Sequence, residues 1–258
     1  MSKIKLFLEL LKTDLFIYKK IIFDSLINAA IWLVSTVIIF AYIFPHIGMP
    51  KAFGTFIAVG CIANSIFWDV WTTSTSFIAD IEGEKKINYF LTLPIPNTLI
   101  FVKQIISYAI KAGIPALFLL PLMKLLLWNR MSLANFSLTK FSIIFVLISI
   151  FVGAFSLFIT SLIKSIDHVG NIANRFLFPL WLFSGTNYPW KLLYSISPIL
   201  AYLTFLNPLL YAMEGSRAAI LGQDGYLPFW ACAIMLVIFT FLFGWLGIRK
   251  LKKRLDFV

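Results

Sequence analysis

Several stretches of this chain are each long and apolar enough to cross a lipid bilayer. They lie at 22–44, 53–77, 99–127, 141–163 and 227–247. A spanning helix needs roughly 20 mostly apolar residues, because the hydrocarbon core is about 30 Å thick and each helical residue adds about 1.5 Å. Hydrophobic residues make up 60% of the chain and charged residues 13%, which leaves too little polar surface for a water-soluble domain. The sequence therefore predicts an all-α, polytopic membrane protein.

The region between the fourth and the last of these stretches has a different pattern. Residues 172–183 are apolar but short, the chain then becomes polar, and a second apolar stretch follows at 192–206. Irregular backbone is tolerated at membrane depth only where protein or water satisfies its polar groups. We therefore expect a broken, outward-facing hairpin between spans five and six, within a re-entrant or extracellular region at 184–226. One crossing in this region, added to the five long stretches, gives six transmembrane helices.

Basic residues flank the predicted spans at both ends of the chain. They are Lys3, Lys5, Lys12, Lys19, Lys20, Arg249, Lys250, Lys252, Lys253 and Arg254. Because Lys and Arg next to spanning helices favour the cytoplasmic side, both termini are expected to be cytoplasmic, in a bacterial inner membrane surrounded by lipid. The net charge of +11 is thus a topology signal. We expect no nucleic-acid partner, since a water-exposed basic domain is not visible.

The first twenty residues differ from the rest of the chain. Ile4, Leu8, Leu11 and Leu15 recur at helical spacing opposite several lysines. Such a pattern is typical of an amphipathic helix that lies in the membrane interface. We therefore divide the chain into an interfacial helix at 1–20 and a single six-span domain at 21–258.

The third predicted span contains three lysines, which are costly in lipid. Lys103 and Lys124 lie near its ends, and we expect both side chains to extend toward the membrane surface. Lys111 lies nearer the middle, where a position inside the helix bundle or in water is favoured. Pro115 and Pro121 predict a bent helix.

The second predicted span carries a polar stripe. Its members recur at the spacing of one helix face: Asn64, Ser65, Trp68, Asp69, Thr72, Thr73 and Ser76. A polar stripe in lipid is costly, so this face is expected to meet other helices or a water-filled path. Two interpretations stay open, a helix–helix interface joined by hydrogen bonds and a substrate route.

Glu214 and Arg217 are three residues apart, so on a helix they face the same way and are predicted to form an ion pair. Pairing would make both charges tolerable at depth.

Motifs of known catalysts are absent from the sequence. It contains no G-x-x-x-x-G-K-[ST] loop, no H-E-x-x-H, no G-x-S-x-G, and only two histidines. We expect no catalytic residue, no metal site and no cofactor bound by this chain. Energy for uphill transport must then come from a partner or an ion gradient.

Two pairs of local motifs and the order of the predicted elements resemble the membrane subunit of a type-two ABC exporter. The first pair is Ile-Glu-Gly-Glu-Lys-Lys at 81–86, followed by Leu-Thr-Leu-Pro-Ile-Pro at 91–96. The second pair is Phe-Ser-Gly-Thr-Asn-Tyr-Pro at 183–189, followed at 206–217 by a segment that begins Leu-Asn-Pro. The resemblance covers essentially the whole chain.

This resemblance implies a dimer of such subunits with two cytoplasmic ATPase subunits, on which ATP and magnesium would be bound. The loop at 78–96 would then include a coupling helix, although a solvated run of charges is the alternative. The polar contacts to the ATPase would be Asp80, Glu82, Glu84, Lys85 and Lys86. The substrate would be amphipathic, lipid-linked or drug-like.

Spans two and five would line the path in such a dimer, so Asn174 and Phe178 of the fifth span join the polar stripe as candidates. The outer gate would contain Gly185, Asn207, Pro208, Glu214 and Arg217. Lys85-Lys86-Ile87-Asn88 stands where the drug-export branch often has Arg-x-x-Gly-Thr, and the many aromatic residues suit a polysaccharide or lipid-linked glycan exporter as an alternative. Other classes also stay open: a channel or assembly subunit, and a membrane-embedded lipid-modifying enzyme.

Overall fold

The computed structural model describes residues 3–255, and all regular structure in that range is helical. The first two residues of the predicted interfacial helix and the last three of the predicted spanning domain lie outside the described residues. Five helical segments are long and apolar enough to cross a membrane: Ile22–Ile47, Lys51–Glu82, Asn97–Leu126, Leu138–Leu162 and Phe229–Leu255. The predicted all-helical membrane fold is confirmed.

The first spanning segment changes its winding along its length. It begins as helix α2 (Ile22–Val37), continues as a π-helix (Ile38–Ile43) and ends as a short 3₁₀-helix (Phe44–Ile47). Helix α1 (Lys3–Lys19) precedes it. Gly48 ends the segment with a φ of 91°, a left-handed conformation that glycine adopts without a steric penalty. The chain thereby turns sharply into the next helix.

Helix α3 (Lys51–Glu82) is the central element of the bundle. It packs against α2, α5 (Asn97–Leu126), α6 (Leu138–Leu162) and α11 (Pro208–Ile220). Gly54 allows the close approach to the first segment, because a Cβ atom there would collide with the backbone of Ala41. The core around α3 is built mainly from Ala, Ile, Val and Phe side chains.

Helix α12 (Phe229–Leu255) lies along α6, and α6 also packs on α5. Glycines stand where these helices come closest. A Cβ atom on Gly153 would meet the carbonyl oxygen of Ile105, and one on Gly247 would lie 2.8 Å from the backbone nitrogen of Phe158. Small residues at such points let helix backbones approach within van der Waals contact in a membrane.

The lysines of α5 have different environments. Lys124 donates hydrogen bonds to the carbonyl oxygens of Trp128 and Met131, at the end of its helix. Lys103 was expected to extend toward the surface, and that prediction is wrong. Its side chain is fully buried and its Nζ lies 2.8 Å from Oδ2 of Asp14 on α1, because α1 covers this part of α5. Tyr18 strengthens the contact by donating to the carbonyl oxygen of Lys111.

The segment after α6 consists of short helical pieces. Four follow one another without a break: a 3₁₀-helix (Ile166–His168), α7 (Val169–Ile172), a π-helix (Ala173–Leu177) and α8 (Phe178–Leu182). Their three, four, five and five residues rise about 27 Å together, less than the hydrocarbon thickness of about 30 Å. After a turn come α9 (Trp190–Ile196), α10 (Pro198–Leu203) and α11. A break is thus present where the sequence predicts one, and the sixth crossing stays a prediction.

Candidate functional site

A cavity of about 520 Å³ opens between α2, α3, α5 and α8. Four members of the polar stripe on α3 line it: Ser65, Trp68, Asp69 and Thr72. Lys111 of α5 and Phe178 of α8 line it as well. The volume is that of an ordinary small-molecule site. The cavity therefore brings three predicted features together: part of the polar stripe, the mid-span lysine of the third span, and Phe178, one of the two path candidates from the fifth span.

Other members of the stripe face neighbouring helices. Asn64 is buried, and its Oδ1 accepts a hydrogen bond of 3.0 Å from Nε1 of Trp181. Thr73 is buried against α6: its hydroxyl oxygen lies 3.0 Å from that of Ser156 on α6 and 2.7 Å from the carbonyl oxygen of Asp69 in its own helix. Asn64 and Thr73, at the two opposite edges of the stripe, thus join helices, whereas Ser65, Trp68, Asp69 and Thr72 between them line a cavity. The substrate route stays a prediction.

Asn174 is not part of the cavity. It lies in the π-helix that precedes α8, and its side chain is exposed away from the lining residues. The extra residue per turn of a π-helix rotates the following side chains relative to an α-helix. Asn174 therefore does not share a face with Phe178, although the two are four residues apart. Its predicted place in a substrate path stays a prediction.

Asp69 has one carboxylate oxygen without a partner. Its Oδ2 is buried and forms no hydrogen bond within the described residues. Lys111 lines the same cavity, yet the two side chains do not form an ion pair with each other. One acid and one base thus face this cavity unpaired.

Aromatic rings form one wall of the cavity. The ring centroids of Trp68 and Phe178 are 5.1 Å apart, those of Trp68 and Trp181 are 5.9 Å apart, and the rings meet at steep angles. Edge-to-face contacts of this kind are the favoured arrangement of aromatic pairs. The hydrogen bond from Trp181 to Asn64 fixes the orientation of its ring. The three rings of the wall thus contact one another, and one of them is held by a hydrogen bond.

A second cavity, of about 320 Å³, adjoins the first. It lies between α1, the end of α3 and α5, and it shares Lys111 with the first cavity. Ser76, the last member of the polar stripe, lines this second cavity together with Asp14, Asp80 and Lys86. Polar groups therefore continue from the centre of α3 to its Glu82 end.

The loop between α3 and α5 contains a short helix, α4 (Lys86–Leu91). Asp80 holds its beginning: Oδ1 accepts from the backbone nitrogen of Lys86 at 3.1 Å, and Oδ2 accepts from that of Ile87 at 2.9 Å. Lys85 makes this geometry possible by adopting a φ of 54°, which reverses the chain. Asp80 thus caps α4, a role that short-range spacing did not reveal.

The other charged residues of this loop divide into two groups. Glu82 accepts a hydrogen bond of 3.1 Å from the backbone nitrogen of Ile166, at the start of the segment that follows α6. Glu84, Lys85 and Lys86 are exposed, and Lys86 forms an ion pair with Glu84. That contact raises the pKa of the Lys86 ammonium above its ordinary value. Asp80 and Glu82 therefore have partners within the chain, and Glu84, Lys85 and Lys86 form the free tip of the turn.

Arg217 is the centre of a buried cluster at the opposite end of α3. Its guanidinium donates to the carbonyl oxygens of Gly185 at 2.6 Å, Thr186 at 2.7 Å and Phe56 at 3.3 Å, and it stacks on the Phe56 ring. Gly185 has a φ of 75°, which points its carbonyl into the cluster. The arginine thereby satisfies the polar backbone of the turn between α8 and α9.

Glu214 does not pair with Arg217, so the predicted ion pair is wrong. Its carboxylate accepts instead from the backbone nitrogens of Trp190 at 3.1 Å and Leu227 at 2.9 Å. Both side chains are fully buried. Backbone groups of the adjoining turns would lack hydrogen-bond partners without them, so each side chain binds these backbone groups and not the other side chain. Asn207 caps α11 through its Oδ1 and donates to the carbonyl oxygen of Leu180 at 2.6 Å, and Pro208 is the first residue of that helix. The five predicted gate residues are thus all buried, on α11 or in the turns next to it, but their hydrogen bonds form separate groups.

Sequence reasoning missed Asp14, whose contact with Lys103 attaches α1 to α5. A signal was present, because Asp14 lies four residues from both Leu10 and Tyr18, and these side chains face the bundle. Sequence reasoning also left Trp181 out of the predicted path residues, although this ring forms part of the cavity wall.

A family model described as "ABC-2 type transporter" matches residues 10–221 of the chain. A search of curated proteins finds no match. Within residues 3–255, no three His, Cys, Asp or Glu side chains are grouped so that they could hold a metal ion.

Proposed function

Because the chain belongs to the ABC-2 type transporter family, whose members are membrane components of transporters, we propose that it is the membrane subunit of an ATP-binding-cassette exporter. It acts with a second copy of itself and with two cytoplasmic ATPase subunits, which bind ATP and magnesium. The protein lies in the bacterial inner membrane with both termini in the cytoplasm.

The observation that carries this proposal is the continuity of α3. One helix lines the cavity with Ser65, Trp68, Asp69 and Thr72, and the same helix supplies the carboxylate that caps α4. A partner that binds α4 therefore acts on the wall of the cavity through covalent helix and not through a flexible loop. This arrangement suits a subunit whose path opens and closes in response to ATP binding elsewhere.

The proposed contact with the ATPase is the tip formed by Glu84, Lys85 and Lys86. These side chains are exposed, whereas Asp80 and Glu82 are held by hydrogen bonds to α4 and to Ile166. Asp80 and Glu82 then position the coupling segment, and the tip makes the polar contacts.

The proposed substrate is amphipathic, either lipid-linked or drug-like. A glycan-exporting function is the second candidate, and the aromatic wall of Trp68, Phe178 and Trp181 favours it, because sugar rings stack on such surfaces. A channel or assembly subunit would have the same helices without an ATPase partner. A lipid-modifying enzyme would show turnover of a lipid by the chain alone.

Purification of the tagged chain in mild detergent tests the proposal. We expect a stoichiometric ATPase among the companions identified by mass spectrometry, and ATP hydrolysis that vanadate inhibits. Clean protein without an ATPase would contradict the exporter function and favour the channel or the enzyme.

Charge reversal at the tip makes the test specific. The triple variant Glu84→Lys, Lys85→Glu and Lys86→Glu should insert normally but lose most of the bound ATPase. Lys253→Glu, at an exposed position near the end of α12, is the matched control and should retain it. Equal ATPase content in both variants would show that the tip is not the contact.

A further inference from the structure

The cavity between α2, α3, α5 and α8 has one acidic and one basic side chain, and these are its only charged lining residues. We propose that it binds the zwitterionic head group of an amphipathic molecule, with an organic ammonium beside Asp69 and an anionic phosphate or carboxylate beside Lys111. The inference rests on the proposed function, since it names the substrate class of the same path.

The first argument is the state of Asp69. Its Oδ2 is buried without a hydrogen-bond partner, and no ion pair within residues 3–255 involves it. A buried charge without a partner is costly, and such a group is satisfied either by an internal cation or by a ligand. The cation nearest at hand is Lys111, yet the structure leaves it unpaired as well. A ligand that carries both charges satisfies both groups at once.

The second argument is the aromatic wall next to Asp69. Trp68 adjoins it in sequence, and the rings of Trp68, Phe178 and Trp181 contact one another at centroid distances of 5.1, 5.9 and 6.4 Å. Faces of aromatic rings attract organic ammonium groups, tryptophan most strongly. Because Asn64 already fixes the Trp181 ring, little side-chain freedom is lost on binding. A carboxylate beside such rings is the chemistry that recognises an ammonium.

The third argument is the supply of unused hydrogen-bonding groups. Asn28, Ser65 and Thr72 line the cavity, and none of their side chains forms a hydrogen bond inside the part of the chain that the structure describes. Small polar groups of this kind suit the ester and phosphate oxygens of a head group. The cavity volume of about 520 Å³ holds a head group, so a long acyl chain remains outside.

The adjoining cavity supplies a polar way in. It shares Lys111 with the first cavity and extends beneath α1 to Asp80 and Lys86 at the α4 end. A head group that enters between α1 and α3 meets Lys111 first and Asp69 afterwards. Polar and charged side chains, Asp14, Ser76, Asp80, Lys86 and Gln104 among them, alternate with apolar ones along this cavity and lower the cost of moving charge away from water.

The test compares three probes with the same dihexanoyl tail. Dihexanoyl phosphatidylethanolamine carries both charges, dihexanoyl phosphatidylglycerol carries only the anion, and dihexanoyl trimethylammonium propane carries only the cation. Each is titrated against the full chain in dodecyl maltoside micelles, whose head group is uncharged, and tryptophan fluorescence reports occupancy, since Trp68 and Trp181 line the cavity. We expect the zwitterion to bind about tenfold more tightly than either other probe. Equal affinity for all three would overturn the proposal without any variant.

Two variants should change which of the three probes binds most tightly. Asp69→Asn lowers the affinity for the zwitterion about tenfold and raises that for the anionic probe, because Lys111 is then unopposed. Lys111→Met lowers the affinity for the zwitterion by a similar factor and raises the affinity for the cationic probe. Asp224→Asn and Lys253→Gln, both at exposed positions, should change neither. A general loss of binding without an exchange of preference would indicate a structural role and contradict the inference.

Measurements of probe binding and of ATP-driven export distinguish a failure of this inference from a failure of the proposed function. Zwitterion binding without any associated ATPase would keep the site and reject the exporter. ATP-driven export by a complex that lacks head-group preference would keep the exporter and reject the site.

Discussion

Nζ of Lys103 lies 2.8 Å from Oδ2 of Asp14, and the lysine side chain is 1% exposed while the aspartate is 15% exposed. The pair fastens α1 to α5 at the base of the polar cavities. Removal of one partner from a buried pair leaves an uncompensated charge, which typically costs about 3 kcal/mol.

The two partners should therefore respond unequally to substitution. Asp14→Asn leaves a fully buried ammonium and should lower the free energy of unfolding by about 3 kcal/mol, whereas Lys103→Met leaves a carboxylate that water reaches and should cost less. Dodecyl sulfate titration in mixed micelles measures both. Asp24→Asn, on an exposed site of α2, is the control. A larger loss for Lys103→Met would show that packing and not charge dominates this contact.

Loss of the Asp80 cap should loosen α4 without unfolding the bundle. Asp80→Ala removes both acceptors of the Lys86 and Ile87 amides, at a cost of about 1 kcal/mol. Hydrogen exchange of the peptide over 83–96 should then accelerate roughly fivefold. Asp167→Ala, in an exposed short turn after α6, should leave that peptide unchanged. Unaltered exchange in Asp80→Ala would mean that α4 is held by its apolar contacts alone.

Arg217 should not be replaceable by lysine. Arg217→Lys keeps the charge but cannot reach three carbonyl oxygens and the Phe56 ring at once, so we expect a loss of about 2 kcal/mol. Cys61 is a buried free thiol next to Gly60, where an added Cβ atom would lie 3.0 Å from Nη2 of this guanidinium. In a Cys232→Ser background, N-ethylmaleimide should therefore modify Cys61 faster in the variant. The exposed Arg175→Lys serves as the comparison, and equal rates would argue against a central role for Arg217.

Two glycines should differ sharply when each is changed to alanine. Gly153→Ala forces a Cβ atom against the backbone of Ile105 and should destabilise the α5–α6 contact by about 2 kcal/mol. Gly170→Ala meets no atom within 4 Å and should be neutral or slightly stabilising, because alanine favours helix. Thermal unfolding in detergent compares the two. If both variants had the same melting temperature, the close approach of α5 and α6 would be relaxed in solution.

Features with a local cause were predictable from the sequence. The length and apolarity of each span, the break after 183 and the polar stripe on α3 all follow from periodicity and from the cost of polar groups in lipid, but the periodicity does not say which stripe residues line a cavity. Lys111 belongs here too, since a mid-span lysine needs water or protein around it, and it lines both cavities.

Features that depend on distant partners were not predictable. The acceptor of Lys103 lies 89 positions away in the chain, on a helix whose docking side spacing alone does not specify. The three-residue spacing of Glu214 and Arg217 predicts a pair on an exposed helix, but α11 is wholly buried, and the irregular turns around it present backbone groups that bind these side chains more closely. Asp80 became a cap only because Lys85 reverses the chain.

The uninterrupted length of α3 has a mechanical consequence. Its 32 residues span about 48 Å, well beyond the hydrocarbon core, and no Gly or Pro interrupts it between Gly60 and Glu82. The helix is a stiff rod, unlike α5 with its two internal prolines. A tilt of about 10° around the midpoint displaces each tip sideways by about 4 Å. Asp69 lies only about 4 Å from that midpoint, so a push at the Gly83 turn reorients it with the rod and shifts it by less than about 1 Å, whereas the far end near Lys51 moves by the full amount.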